Sequence, residues 1–243
     1  MNLSRTALLA TALLLGACAT LPPGQRDARD PLERFNRSMY RFNVAADRAV
    51  FRPTARVWRA AVPQPVRTGL DNFAINLGYP TTILNDFLQG KFANGGRDLT
   101  RLIVNTLCGL GFLDPATAAG LERHQEDFGQ TLGKWGMHSG PYLMLPLFGP
   151  STVRDAPAKL VDDLSDVRHY LSDPYARWGL WAINKAQLRA KLLDSDQLLE
   201  RTYDPYAFVR SAWLQLRDYA VRDGDIDASE PDLPADEEAP PPS

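Results

Sequence analysis

The chain has 243 residues, 44% of them hydrophobic and 23% charged, with a formal net charge of −2. This is the composition of an ordinary globular chain of one or two domains. Three histidines and two cysteines leave little material for a metal centre or a disulfide framework, and the dispersed arginines form no stripe for nucleic acid.

The first 17 residues read as a secretory signal rather than part of the fold. Arg5 gives a positive start, and Thr6 to Leu15 are small and apolar, well short of the roughly 20 residues that span a bilayer. Leu15-Gly16-Ala17-Cys18 looks like a bacterial lipobox, in which the cysteine sulfur takes a diacylglycerol and the new N-terminus is acylated. Several buried acyl chains would hold firmly, at about 0.8 kcal/mol per methylene. The alternative is a plain signal peptide that happens to contain a cysteine. Ala19, rather than Asp, follows Cys18, which resembles lipoproteins sorted to the outer membrane. With Cys18 lipidated, Cys108 has no partner; lying in an apolar stretch, it is expected to be a small buried hydrophobe. Residues 18–29 form a polar, Pro-containing linker between the lipid and the body.

Asp30-Pro31 opens the first predicted helix, and the same pair recurs at Asp114-Pro115, Asp173-Pro174 and Asp204-Pro205. Asp accepts backbone N–H bonds at an N-cap and Pro suits the first helical position, so four such pairs predict a helical chain with defined starts. Leu32, Phe35, Met39, Phe42 and Ala46 form one apolar stripe. Pro53 to Ala60 is a short second helix. Val66, Leu70, Phe73 and Leu77 form the next stripe, which Tyr79-Pro80 is expected to break before a short helix over Thr81 to Gln89. Arg97 to Leu110 is apolar around much of its circumference. It is read as a core helix ending in a C-cap glycine, or as a hinge between two membrane-facing helices.

Residues 126–155 then lose helical composition. Five glycines and three prolines interrupt them, and the uncharged run Tyr142 to Phe148 must either cross a core or face lipid. Ser151 is the expected N-cap of a helix to Leu164. Pro174 to Leu193 is striped by Trp178, Trp181, Leu188 and Leu192, and Pro205 to Val221 by Tyr206, Val209, Trp213, Leu216 and Ala220. No alternating strand pattern stands out. From Asp223 onward eight acidic residues and five prolines, with no Lys or Arg, read as a disordered acidic tail. Without signal and tail, residues 18–222 carry +5, a modest excess that suits anionic head groups.

Several blocks together carry a family resemblance: DPLERFNRSMYRFN (30–43), VPQPVRTGLDNFAINL (62–77), NDFLQGK (85–91), RLIVNTLCGLG (101–111), EDFGQTLGKWG (126–136), GPYLMLPLFGPSTVRD (140–155) and LLDSDQLLERTYDPYAFVRSAW (192–213). They resemble the MlaA/VacJ lipoproteins of Gram-negative outer membranes, over most of residues 30–220. Where that family has Gly-x-Gly-Gly ahead of an Asp, this chain has Gly109-Leu110-Gly111-Phe112-Leu113-Asp114, one glycine fewer.

The fold expected is all-α: residues 30–222 as a compact single domain of many short amphipathic helices with long Gly/Pro-rich apolar loops, ring- or disc-like around a lipid path. The resemblance implies a protein of the outer membrane, lipid-anchored and facing the periplasm. It would draw misplaced phospholipid from the outer leaflet and hand it to a soluble periplasmic carrier, beside a trimeric porin. The covalent lipid at Cys18 and the transported phospholipid are the only non-protein groups expected, with no cofactor, metal or nucleic acid. Gly109, Gly111, Phe112 and Leu113 are the candidate hinge and lipid-path residues. Two other readings stay open: a structural envelope lipoprotein with no lipid path, and a lipid hydrolase using Ser139 or Ser151. Against the latter, Gly136-Met137-His138-Ser139-Gly140 places its first glycine one position too early for a nucleophile elbow.

Overall fold

The computed structural model describes residues 27–225. The signal sequence, Cys18, most of the linker and the chain beyond 225 lie outside the described residues. α1 spans Glu33–Ala46 and runs through a wide turn of π-helix, Asp47–Phe51, into α2, Arg52–Ala61. α3 covers Gln64–Leu88, and α4, Phe92–Gly109, packs along it. The short helices α5 (Pro115–Ala118) and α6 (Phe128–Lys134) precede an antiparallel hairpin of β1 (Tyr142–Leu145) and β2 (Gly149–Thr152). α7 (Asp155–Ser165), α8 (Pro174–Lys191), α9 (Asp196–Arg201) and α10 (Pro205–Val221) complete the described chain. The fold is helical apart from the small hairpin.

Three of the four Asp-Pro pairs act as read. Asp114, Asp173 and Asp204 each accept a backbone N–H inside the helix that follows, with Pro in its first turn. The fourth does something else. Asp30 is buried and accepts from Asn36 Nδ2 (2.7 Å), Arg210 Nη1 (2.9 Å) and the Tyr206 hydroxyl, so it ties α1 to α10 rather than capping α1. Pro80 does not end its helix either. It removes one donor, but Tyr79 and Thr82 on either side are buried, and that packing carries α3 across the missing bond. The helix expected from Ser151 begins at Asp155, because Ser151 is taken up in β2.

The hairpin exists because α1 completes it. The Asn36 side chain donates to Tyr142 O (2.9 Å) and accepts from Met144 N (2.8 Å). Seven residues on, Asn43 repeats the pattern with Leu145 O (2.9 Å) and Leu147 N (2.8 Å). The Asn36 amide therefore stands in for a neighbouring strand along the free edge of β1, while Asn43 braces the turn that follows it, and both lie on one face of α1, two turns apart. Pro146 sits beyond the last paired residue, in the turn, where its missing N–H costs nothing. The uncharged run both enters the core and leaves it. Tyr142 and Met144 are fully buried against Tyr206 and Leu214, while Leu147 and Phe148 at the tip are exposed.

The polarity of the body is inverted. Among the described residues, sixteen buried side chains are polar or charged against eleven apolar ones, of which five are alanine. On α4 the buried residues are Gly95, Asp98, Arg101, Asn105 and Gly109, whereas Leu99, Ile103, Leu107 (76%) and Cys108 are exposed. The core-helix reading of this segment, and of Cys108 as a buried hydrophobe, is thus overturned. The other stripes divide: Leu32 ahead of α1, Phe35 and Phe42 on it, Val66 on α3 and Trp178 on α8 are exposed, Leu188 on α8 and Leu216 on α10 are exposed at the cavity, and Met39, Tyr206, Val209 and Trp213 pack into the core. A protein that folds in water shows the opposite arrangement.

The C-terminal boundary also shifts. Asp223 is ion-paired to Lys134 (2.8 Å) and to Lys91, so the first residue assigned to the acidic tail belongs to the folded body.

Candidate functional site: a charged cavity inside an apolar shell

The inward polar faces line an open-mouthed cavity of about 800 Å³ between α3, the loop ahead of α6, α7, α8 and α10. Its wall is charged, and most of those charges neutralise each other. Arg217 on α10 bonds Asp127 (2.6 Å) and Asp155 (2.9 Å), which joins α6, α7 and α10. Burial opposes all three charges, yet the arginine lies above its ordinary range and both carboxylates below theirs, because the hydrogen bonds win. Gly129 is required here: a Cβ on it would collide with the Arg217 guanidinium and the Asp155 carboxylate. Lys191 holds Asp71 at 2.7 Å, Arg168 holds Asp166, and Lys91 holds Glu126 at 2.9 Å. The wall also carries apolar positions, among them Ile75, Leu188 and Trp213. Such a space accepts a polar group and, beside it, hydrocarbon.

Behind the cavity lies a buried acid pair. Asp86 on α3 and Asp98 on α4 are fully buried, and none of their four carboxyl oxygens accepts a protein donor. Burial, then the facing Asp98 and Glu126, push Asp86 up to about 7 against the opposing Lys91. A proton held on Asp86 gives the pair one hydrogen bond, from Asp86 to Asp98. His124 Nδ1 stands 3.5 Å from Asp98 and also faces the cavity.

The sequence-predicted path residues lie elsewhere. Phe112 (42% exposed) and Leu113 (63% exposed) line a second, mainly apolar hollow of about 720 Å³ against Val66, Gly69 and Leu70 of α3. Phe112 stacks on Phe73 with centroids 4.5 Å apart. Gly109 and Gly111 shape the turn that puts them there. Leu110 and Gly111 take φ of +51° and +77°, and the Gly111 amide closes the helix on Asn105 O at 2.8 Å. A Cβ on Gly109 would stand 3.0 Å from Leu113 Cβ, and one on Gly111 3.1 Å from the Phe73 ring. The turn is braced by Arg101, fully buried, which donates to both oxygens of Asp114 (2.8 and 3.0 Å) and to the Tyr79 hydroxyl (2.8 Å). Despite burial, hydrogen bonds from Thr117, Asn105 and Arg123 hold Asp114 well below the usual carboxylate range.

The charged residues that shape the cavity were not singled out by sequence reasoning. The hairpin, by contrast, left a signal: Arg-Phe-Asn stands at 34–36 and again at 41–43, a seven-residue spacing that puts the two asparagines that hold it on one helix face. Of the proposed nucleophiles, Ser151 is fully buried and its hydroxyl meets no hydrogen-bond partner. Among the described residues no three His, Cys, Asp or Glu side chains are placed to hold a metal ion.

Comparison with known proteins bears on this architecture. The family model for the MlaA lipoprotein matches residues 28–220. This chain belongs to the MlaA lipoprotein family. It is similar to the intermembrane phospholipid transport system lipoprotein MlaA of Escherichia coli K12, 42% identical over 236 residues that cover 95% of this chain and 93% of that one. The MlaA of Haemophilus influenzae Rd is 35% identical, covering 95% of each chain. A chain solved to explain the structural basis for maintenance of bacterial outer membrane lipid asymmetry superposes with a TM-score of 0.73 at 40% identity. The match covers 81% of this chain and all of that one. The fold and the family blocks thus agree with one another.

Proposed function

We propose that this chain is a lipid-transfer lipoprotein of the outer membrane, with no enzymatic step of its own. It takes misplaced phospholipid from the outer leaflet and passes it toward the periplasm. The observation that carries this reading is the inverted body: exposed apolar helix faces around a cavity walled with charge. In hydrocarbon, apolar side chains belong outside and polar ones must find partners within. A head group can then cross the membrane's polarity step inside the cavity, while acyl chains stay against apolar surface. Uncompensated burial of that head group in hydrocarbon would cost several kcal/mol.

No described helix is long and apolar enough to cross a membrane. The reading is therefore of a body that lies within the membrane face, held by lipid on Cys18 and by its own apolar surface. Delivery to a soluble periplasmic carrier, and a place beside a trimeric porin, rest on the family relationship. That its relatives are lipoproteins of an intermembrane phospholipid transport system supports phospholipid as the cargo, while the inward direction is part of the proposal.

The test is a deletion strain. Loss of the protein is expected to leave phospholipid in the outer leaflet and to sensitise cells to detergent combined with a chelator, with recovery on complementation. Unchanged surface phospholipid would reject transfer. Mass spectrometry of the gently purified protein separates the other readings: intact phospholipid for transfer, none for a scaffold, and lysophospholipid accumulating on incubation for a hydrolase.

A further inference from the structure

The charges on the cavity wall can be paired off one by one. Arg217 takes Asp127, Lys191 takes Asp71, Arg168 takes Asp166, and Glu126 is held by Lys91. Asp163 turns to His169 at 2.9 Å and is largely open to solvent. Two groups remain, one of each sign, both on α7: Lys159 and Asp162. Among the described residues Lys159 has no carboxylate within 4.0 Å, and it is accessible from the cavity. Asp162 has no cation partner. Its Oδ1 accepts from Phe128 N (2.8 Å) and Asn85 Nδ2 (3.3 Å), and its second oxygen is left over.

Residues three apart on a helix share a face, with Cβ atoms about 5–6 Å apart. The cavity thus presents one unpaired cation and one unpaired carboxylate side by side. From this we infer that Lys159 and Asp162 form a recognition pair for a zwitterionic phospholipid head group, with the phosphate on Lys159 and the ammonium on Asp162. A head group whose ammonium lies two carbons from its phosphate matches both charges; a net-anionic head group such as phosphoglycerol satisfies Lys159 alone and leaves its hydroxyls facing a carboxylate. The surroundings agree. Partial desolvation by the cavity wall depresses the Lys159 ammonium although the side chain stays open to the cavity, and burial pushes the Asp162 carboxyl up to about 6. An incoming phosphate and ammonium would return each toward its ordinary range.

The inference rests on the cavity being the head-group site, and its test is chosen to fail separately. The full-length lipidated protein would be exchanged in mild detergent against equal amounts of phosphatidylethanolamine and phosphatidylglycerol, and the retained lipid measured by mass spectrometry. Wild type is expected to enrich phosphatidylethanolamine by roughly three- to tenfold, the range for one charge-assisted hydrogen bond partly screened by water. Asp162→Asn keeps an acceptor for Phe128 N and should bring the ratio back toward that supplied. Lys159→Gln should lower the total of both lipids. Thermal melts on the same samples confirm that the variants are folded, and Asp162→Ser provides a second replacement if Asn destabilises. Equal retention of the two lipids by wild type, or an unchanged ratio in a folded Asp162 variant, overturns the inference while leaving transport intact. Absence of any retained phospholipid overturns the transport reading itself.

Discussion

The buried pair of Asp86 and Asp98 gives the fold an unusual response to pH. In the unfolded chain Asp86 releases its proton near its ordinary 3.8; in the fold it keeps it until about 7. Between those values the folded state holds a proton that the unfolded state has lost, so raising the pH favours unfolding. This is opposite to the usual carboxylate, whose folded value is depressed and whose contribution is lost as pH falls. Asp127, Asp155 and Asp204 are of that usual kind and act below their ordinary range, outside this window. Asp162, raised to about 6, adds to the same trend in both proteins, so the difference between variant and wild type isolates Asp86. At about 1.4 kcal/mol per pH unit, a displacement of about three units amounts to on the order of 4 kcal/mol between pH 4 and pH 8. Asp86→Asn replaces the shared proton with a permanent donor to Asp98. It leaves one amide hydrogen to satisfy, at roughly 1–3 kcal/mol. The variant should therefore be more stable than wild type at pH 8 by about 1–3 kcal/mol, or roughly 2–4 °C in Tm for each kcal/mol, and should lose most of the advantage by pH 5. Melts of both proteins at half-unit steps from pH 5 to pH 8 would show the curves converging at the acid end. A wild-type Tm that is flat across this range, or a variant less stable at pH 8, would refute the reasoning.

Three further outcomes are expected. Gly111→Ala meets a left-handed backbone and the Phe73 ring, and Gly109→Ala meets Leu113, so each should lower stability by about 1–2 kcal/mol; surface-phospholipid assays per folded molecule then decide whether the turn also hinges, since wild-type transport with a lowered melt would reduce both glycines to structural roles. Cys18→Ser should give an uncleaved precursor or a soluble periplasmic product with loss of function at normal expression, read by fractionation, and full activity in the soluble fraction would contradict the anchor. Truncation after Asp225 should leave Tm unchanged, whereas truncation before Asp223 removes the pairs with Lys91 and Lys134 and should cost no more than about 1 kcal/mol, checked by melting the two products side by side.

Periodicity and punctuation in the sequence determined where most helices lie. Asp114-Pro115, Asp173-Pro174 and Asp204-Pro205 mark helix starts by chemistry that acts within four residues, and the apolar stripes report which side chains share a face. The family blocks were legible for the same reason, but the close packing around Gly129 was not, because Arg217 and Asp155 reach it only in the fold. What periodicity cannot report is which face turns inward. Leu99, Ile103 and Leu107 form as good a stripe in lipid as in a core, and only the packing of Asp98, Arg101 and Asn105 against α3 and α5 showed that the stripe faces out. The hairpin was hidden because its strand edge and its turn are held by Asn36 and Asn43, more than 100 residues away in the chain. Pro80 was misread because a local rule was overruled by distant contacts. The unpaired Lys159 and Asp162 could not be found in the sequence at all. A charge is unpaired only with respect to its neighbours in space, and the groups that neutralise the rest of the wall come from α3, α8, α10 and the segments flanking α4, α6 and α7.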